Sequence, residues 1–367
     1  MPHATMSVVR ALILGAALAL PLAAAAQSPA PPTTAPTLGT QVKEATPQVA
    51  QPAVSSPPVA GKGSTASPGW NNPPSWTGAS ERPQYASIPG RETNVLIQAE
   101  GRQWRAFRNG PLTTYGGWLI GIIFLLIVAV YLIKGQIKLK NAPSGRMIER
   151  FNAVERTSHW TMAICFVFLA LTGATMLWGK YLVLPWLGYT GFAWATIVGK
   201  NIHNFVGPLF IFSLVVSFLI FVKDNMVHGR DIQWLARLGG MFGGHEVPSG
   251  RFNGGEKLWF WAGLVILGIT LAVTGLILDF PNWNQTREAM QTSNVIHDIA
   301  AVLFICGGLA HAYIGTLGMQ GAYQAMRRGY VDEEWAREHH VLWYEEVKAG
   351  KRPERILPAN AVPATGD

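Results

Sequence analysis

The chain has 367 residues, of which 49% are hydrophobic and only 14% charged; an ordinary soluble domain carries about 25% charge, so the deficit argues for a membrane protein. Its two cysteines exclude a disulfide framework, a four-thiolate metal site and a CxxCH haem attachment. The formal charge of +8 would suit a nucleic-acid partner, but it is spread along the chain as membrane topology requires.

Residues 1–26 read as a secretory signal: Arg10 gives the positive start, 11–20 an apolar run too short to span, and Ala24-Ala25-Ala26 a small-residue cleavage site. Fifteen of the 24 prolines lie at or before Pro89. With so few large apolar residues, this stretch cannot offset the entropy of ordering. Residues 27–111 are therefore assigned as a Pro-rich disordered periplasmic segment.

Five apolar segments follow, at 112–133, 158–178, 202–222, 258–278 and 295–319. Each is close to the roughly 20 residues that cross a hydrocarbon core, and segments this long are helices. The expected fold is an all-α transmembrane bundle: an extra helix at 112–133, then a four-helix domain over 145–328. The loops after the first and third segments, with the C-terminal stretch from Arg327 to Arg355 that runs into the tail 329–367, hold eighteen Lys and Arg; the other loops hold Lys180, Lys200 and Arg287. The positive-inside bias then puts the C-terminus in the cytoplasm and the N-terminus in the periplasm of a bacterial inner membrane. Arg102, Arg105 and Arg108, just outside the first segment, run against that bias. The stretch 180–192, rich in Trp, Tyr, Leu and Gly, is expected as an interfacial aromatic loop.

The histidines carry the chemistry. His3 leaves with the signal, and His228, His245, His339 and His340 lie in polar segments where solvated side chains are the default. His159, His203, His297 and His311 fall in or at the ends of membrane helices, where an ionisable side chain usually faces a bundle interior or a cofactor. His159 and His311 belong to the cytoplasmic level, His203 and His297 to the periplasmic one. His297 and His311 are fourteen residues apart, about 21 Å along a helix and only about 40° around it. An imidazole pair at each level is what a six-coordinate b-type haem requires, and two haems at different depths make an electron wire. A proton relay would want Asp or Glu inside the helices, where there is none, Asp279 and Asp298 lying at outer ends; zinc would want its ligands clustered. Thr172-Gly173 and Thr274-Gly275 occupy matching positions in the second and fourth segments, which hints at a two-plus-two repeat. Their glycines would admit either a flat macrocycle or a neighbouring helix.

The run Ile148-Glu-Arg-Phe-Asn-Ala-Val-Glu-Arg-Thr-Ser-His159-Trp160, His203 at the head of the next helix, the His297–His311 spacing and Arg251-Phe-Asn-Gly-Gly-Glu-Lys257 together resemble the gamma (cytochrome b) subunit of respiratory formate dehydrogenases. The resemblance covers about 145–328. It implies two b haems, the outer held by His203 and His297 and the inner by His159 and His311. It implies an iron-sulfur beta subunit that delivers electrons from a molybdenum- or tungsten-containing alpha subunit, and a quinone reduced beside the inner haem near Asn253 and Gly255. A helix-entering turn is the plainer reading of those last two residues. Related alternatives are the cytochrome b subunit of a hydrogenase or another reductase and, in a different class, a haem-free membrane anchor or transporter.

Overall fold

The computed structural model describes residues 99–237, 239, 247–283 and 285–361. The expected signal peptide, the Pro-rich stretch up to residue 98, His3 and His245 lie outside the described residues.

Helix α1 (Ala99–Phe107) continues through a π-helical turn, Arg108–Leu112, into α2 (Thr113–Lys134). The wide turn contains Pro111, whose missing N–H could not serve an α-helical bond. This corrects the expected boundary: residues 99–111 are helical and do not belong to the Pro-rich segment. The next hairpin pairs α3 (Ala153–Leu182) with α4 (Leu184–Phe221), joined at Val183 alone. The aromatic loop expected over 180–192 is therefore helix. Pro185 supplies a pre-set φ in the first turn of α4, and Gly188, at φ 65°, makes the one bend the segment needs. After the short α5 (Gly229–Ala236), α6 (Gly254–Leu258) passes through a π-helical stretch, Trp259–Leu267, into α7 (Gly268–Asp279). Then α8 (Arg287–Tyr313) ends in a further π turn, Ile314–Gly318.

Five continuous helical spans are long and apolar enough to cross a membrane: Gly101–Lys134, Ala153–Leu182, Leu184–Phe221, Gly254–Asp279 and Arg287–Gly318. The protein is a multi-pass, all-α transmembrane bundle. Large apolar side chains such as Phe205, Leu219, Ile133 and Trp186 stay exposed on its outside, as a lipid solvent permits. The extra helix docks on the bundle through Trp178, whose Nε1 donates to the Thr113 carbonyl at 2.8 Å, and through Gly116, where a Cβ would meet Val302 at 3.1 Å. At its head, Trp104 donates to Asn294 at 3.1 Å, and Arg108 pairs with Asp298 at 3.4 Å. One of the three arginines that ran against the charge bias, Arg108, thus has a local partner.

The last part of the chain is not a tail. Helices α9 (Ala322–Arg328), α10 (Glu333–His339) and α11 (Val341–Lys348) combine with a small antiparallel sheet of order β2-β1-β3. Strand β1 (Arg146–Glu149) precedes α3, whereas β2 (Tyr330–Asp332) and β3 (Ile356–Pro358) come after the last span. Ile148 faces Val331 on one side and Ile356 on the other. Ile148, Val331, Trp335, Ala336 and Trp343 are buried, in a hydrophobic cluster continuous with the bundle core of Phe151, Phe221 and Phe260. We call this the sheet end of the bundle.

Candidate cofactor-binding site

At the end away from the sheet, His203 of α4 faces His297 of α8 with ring centres 6.2 Å apart. Each imidazole is held by the same two residues of a neighbouring helix. Thr172 Oγ1 lies 2.9 Å from His203 Nδ1 and donates to the Phe168 carbonyl at 2.7 Å. Thr274 Oγ1 lies 2.9 Å from His297 Nδ1 and donates to the Thr270 carbonyl at 2.6 Å. A hydroxyl that gives its hydrogen to a carbonyl accepts from the ring, so Nδ1 carries the N–H and Nε2 presents its lone pair. The glycine after each threonine lets the imidazole edge lie against the helix. A Cβ on Gly173 would meet His203 Cε1, and one on Gly275 would meet His297 Cε1, both at 3.4 Å. The two-plus-two repeat hinted at by Thr-Gly is thus a repeat of imidazole holders.

At the sheet end, His159 of α3 faces His311 of α8 with ring centres 6.1 Å apart. The Trp259 ring stacks on His311 at 5.7 Å and 20°, which fixes that ring's plane. His159 Nδ1 is buried without a hydrogen-bond partner among the described residues. Between the two levels, Phe166, Phe210 and Trp259 pack on Phe304, midway between the two histidines of α8.

These spacings test the expected cofactor directly. Two iron–nitrogen bonds of about 2 Å and roughly 1 Å from each nitrogen to its ring centre sum to roughly 6 Å. Both pairs meet that span, which is too long for a hydrogen bond between the rings. Among the described residues no three His, Cys, Asp or Glu side chains converge as a discrete metal site would need.

Beside the sheet-end pair, the sequence holds a repeat that the hydropathy reading passed over. Arg150-Phe151-Asn152-x-x-Glu155 leads into α3, and Arg251-Phe252-Asn253-x-x-Glu256 leads into α6. Both are capping boxes. Asn152 Oδ1 accepts from Glu155 N and Asn253 Oδ1 from Glu256 N, each at 3.0 Å, while each glutamate accepts from its asparagine N–H at 2.9 Å. The arginines then cross over. Arg150 donates to Glu256 Oε1 at 2.9 Å and to the Arg251 carbonyl at 3.0 Å; Arg251 donates to Glu155 Oε2 at 2.8 Å and to the Arg150 carbonyl. Arg251 also takes Asp224, at 2.8 Å, which in turn binds Arg352, between α11 and β3 at the sheet end. Burial would raise the Asp224 carboxyl, but the Arg251 and Arg352 bonds and charges outweigh it and hold it below its ordinary value.

Asn253 and Gly255, the residues expected near quinone, sit in the second of these turns. Asn253 spends its side-chain oxygen on the cap, as the plainer reading anticipates, and among the described residues no bond to its NH₂ is seen. A Cβ on Gly255 would come within 2.8 Å of the Trp234 ring of α5.

His340 departs from its expected place. In the sequence it is a solvated residue of a polar tail; in the structure it is 1% exposed, beside Trp335 and Trp343. Its Nδ1 donates to the Gly250 carbonyl at 2.8 Å, and Nε2 stands 3.9 Å from Glu256 Oε2. Burial, reinforced by the Arg150 charge, holds it down to about 3, so it is neutral. His228 keeps an exposed side chain.

Residues 150–329 match the prokaryotic cytochrome b561 family. The chain is 31% identical over 209 residues to the nitrate-inducible formate dehydrogenase cytochrome b556(Fdn) subunit of Escherichia coli (strain K12), covering 56% of this chain and 93% of that one. The chain belongs to the family of formate dehydrogenase cytochrome b subunits. A second subunit of that organism, the formate dehydrogenase cytochrome b556(fdo) subunit, is 30% identical over 204 residues, covering 55% of this chain and 93% of its own. The formate dehydrogenase cytochrome b556 subunit of Haemophilus influenzae is 28% identical over 225 residues, at 57% and 87%. A cytochrome b binds b-type haem, and each of the two facing imidazole pairs has a spacing that would admit one.

Proposed function

We propose that this protein is the membrane-anchoring cytochrome b subunit of a formate dehydrogenase complex and carries electrons through two b haems to quinone. The observation that carries the reading is the duplicated facing of imidazoles, His203 with His297 at 6.2 Å and His159 with His311 at 6.1 Å. Haem held between two imidazoles would have no position open to small ligands and would supply electron transfer. The chain's own residues supply the rest. Thr172 and Thr274 fix one pair, Trp259 braces the other, and α8 sets the separation, fourteen residues or about 21 Å.

The orientation that the Lys and Arg bias favours puts the sheet end in the cytoplasm of a bacterial inner membrane. Electrons then enter at the His203–His297 level from a periplasmic iron-sulfur beta subunit, itself supplied by a molybdenum- or tungsten-containing alpha subunit that oxidises formate. They leave at the His159–His311 level for a quinone beside the turn of Asn253 and Gly255. The Asn253 NH₂ donates to a quinone carbonyl, and Gly255 keeps the backbone close.

Haem content per purified chain is the first test. A value near two, with b-type bands in the reduced-minus-oxidised spectrum, is expected. His297→Ala should remove one haem and leave the other spectroscopically intact, and His159→Ala should do the reverse. Two haems retained in both variants would refute the ligand assignment, and absence of b-type bands would refute the reading as a whole.

A further inference from the structure

The repeated turns are alike in sequence but not in surroundings. Glu155 is sealed: its side chain is 9% exposed and locked to Arg251. Its counterpart Glu256 is 34% exposed, in the first turn of α6 beside the candidate quinone residues Asn253 and Gly255. The carboxylate of Glu256 is also divided. Oε1 takes Arg150 at 2.9 Å, while Oε2 caps Asn253 N–H at 2.9 Å and faces His340 Nε2 at 3.9 Å.

The imidazole leaves little choice about where a proton sits. Gly250 O fixes the N–H on Nδ1, so the neutral ring turns a lone pair on Nε2 toward Oε2. With Glu256 ionised, two acceptors oppose each other and nothing joins them. A proton on Oε2 would turn that opposition into a hydrogen bond after an approach of roughly 1 Å. Arg150, bound at Oε1, keeps its bond in either state. Nothing comparable backs Glu155, where the guanidinium of Arg251 occupies Oε2 itself.

We propose that Glu256 carries protons from cytoplasmic water to the quinone at the Asn253 turn, with His340 as the acceptor that holds Glu256 in its protonated form. This rests on the quinone site proposed above. Reduction of one quinone takes two electrons, which formate supplies through the haem levels, and two protons. Each proton leaves Oε2 as its O–H bond breaks and forms an O–H bond on a quinone oxygen. Water on the open side of Glu256 replaces it before the second transfer. The groups that bias the exchange are Arg150, whose guanidinium binds the carboxylate at Oε1, and neutral His340, whose Nε2 lone pair can accept a hydrogen bond only from the acid. Around His340 itself stand the charges of Arg150, Glu256 and His339 and the rings of Trp335 and Trp343. Glu256 is the residue placed against substrate; His340 acts through it.

The test uses the whole complex in membranes, with formate as donor and a soluble quinone as acceptor. Glu256→Gln suits it, because Gln also serves the third position of a capping box and keeps the turn. The expected result is quinone turnover lowered at least ten-fold, a larger solvent deuterium isotope effect, and first-turnover reduction of the haems by formate still observed. His340→Gln should lower turnover several-fold and move the alkaline limb of its pH profile to lower pH, a change that mere loosening of the cap would not produce. Unchanged turnover and pH profile in Glu256→Gln would overturn the proposal. If Asn253→Ala raises the quinone KM in that same comparison, the quinone site stands and the proton role alone falls; if Asn253→Ala is silent too, both fall. Should Glu256→Gln lose its haems, His340→Gln decides alone, and an unmoved alkaline limb overturns the proposal.

Discussion

Replacing Thr274 by Val keeps the volume and β-branching of the side chain but removes the oxygen that accepts from His297 Nδ1 at 2.9 Å. The imidazole N–H then has no partner in an apolar bundle. A buried donor left unsatisfied costs about 1–3 kcal/mol, and each 1.4 kcal/mol is about tenfold in an equilibrium constant. Affinity for haem at the His203–His297 level should therefore fall about 10- to 100-fold, the range typical when a residue behind a metal-bound histidine is lost. The ring would also be free to turn, so the absorption band and midpoint potential of that haem should move. Thr172→Val should act alike through His203, because the contact is duplicated at 2.9 Å. Both serine variants should restore the parent behaviour, since Ser keeps the oxygen. The assay is haem titration of the purified protein followed by reduced-minus-oxidised spectra and redox titration. A Thr274→Val protein that binds two haems as tightly as the parent, or one whose change falls on the His159–His311 level, would refute the reasoning.

Three further outcomes follow from the sheet end. Arg251→Met leaves Glu155 and Asp224 without the guanidinium that both contact at 2.8 Å; stripping one member from a buried ionic cluster costs about 3–5 kcal/mol, so the thermal midpoint should drop by many degrees, and an unchanged midpoint would contradict the packing described. His340 lies at about 3 when folded against an ordinary 6.5, so the unfolded chain binds the extra proton between those values. Its contribution is complete above pH 6.5 and shrinks as the pH falls toward 3, and His340→Gln should show a smaller loss of thermal stability between pH 7 and pH 5 than the parent. Gly255→Ala drives a methyl to within 2.8 Å of the Trp234 ring; overpacking of this kind costs about 1–3 kcal/mol, and the variant should denature earlier and take quinone with a raised KM, whereas parent-like values for both would show that the ring moves aside freely.

The levels of the histidines could be read before any coordinates, because helical rise converts the fourteen residues between His297 and His311 into depth and angle. The partners across the bundle followed from the direction in which each helix runs. Helix ends were harder. A hydropathy window sees the stretch that crosses lipid, so Ala99–Phe107 before the first segment and the start of α4 at Leu184 escaped it. His340 could not be read at all, since it is buried against Trp335 and Trp343 near it in sequence and against Gly250, which precedes the last two spans. The Arg-Phe-Asn-x-x-Glu repeat was available in plain letters. It stands just before the second and fourth segments, in the same two elements that share Thr-Gly. The crossing of its arginines would still have needed the fold, because each turn's own glutamate is the nearer guess.

The position of β1 has a consequence for how the protein is made. Its two neighbours in the sheet are β2 and β3, both beyond the last span, so β1 leaves the ribosome with neither edge partnered. Ile148 and the Arg150 turn wait, uncovered, while four more spans are threaded into the bilayer. Closure of the sheet end therefore has to wait for Tyr330–Asp332 and Ile356–Pro358, and a chain cut before Tyr330 would leave β1 an open edge.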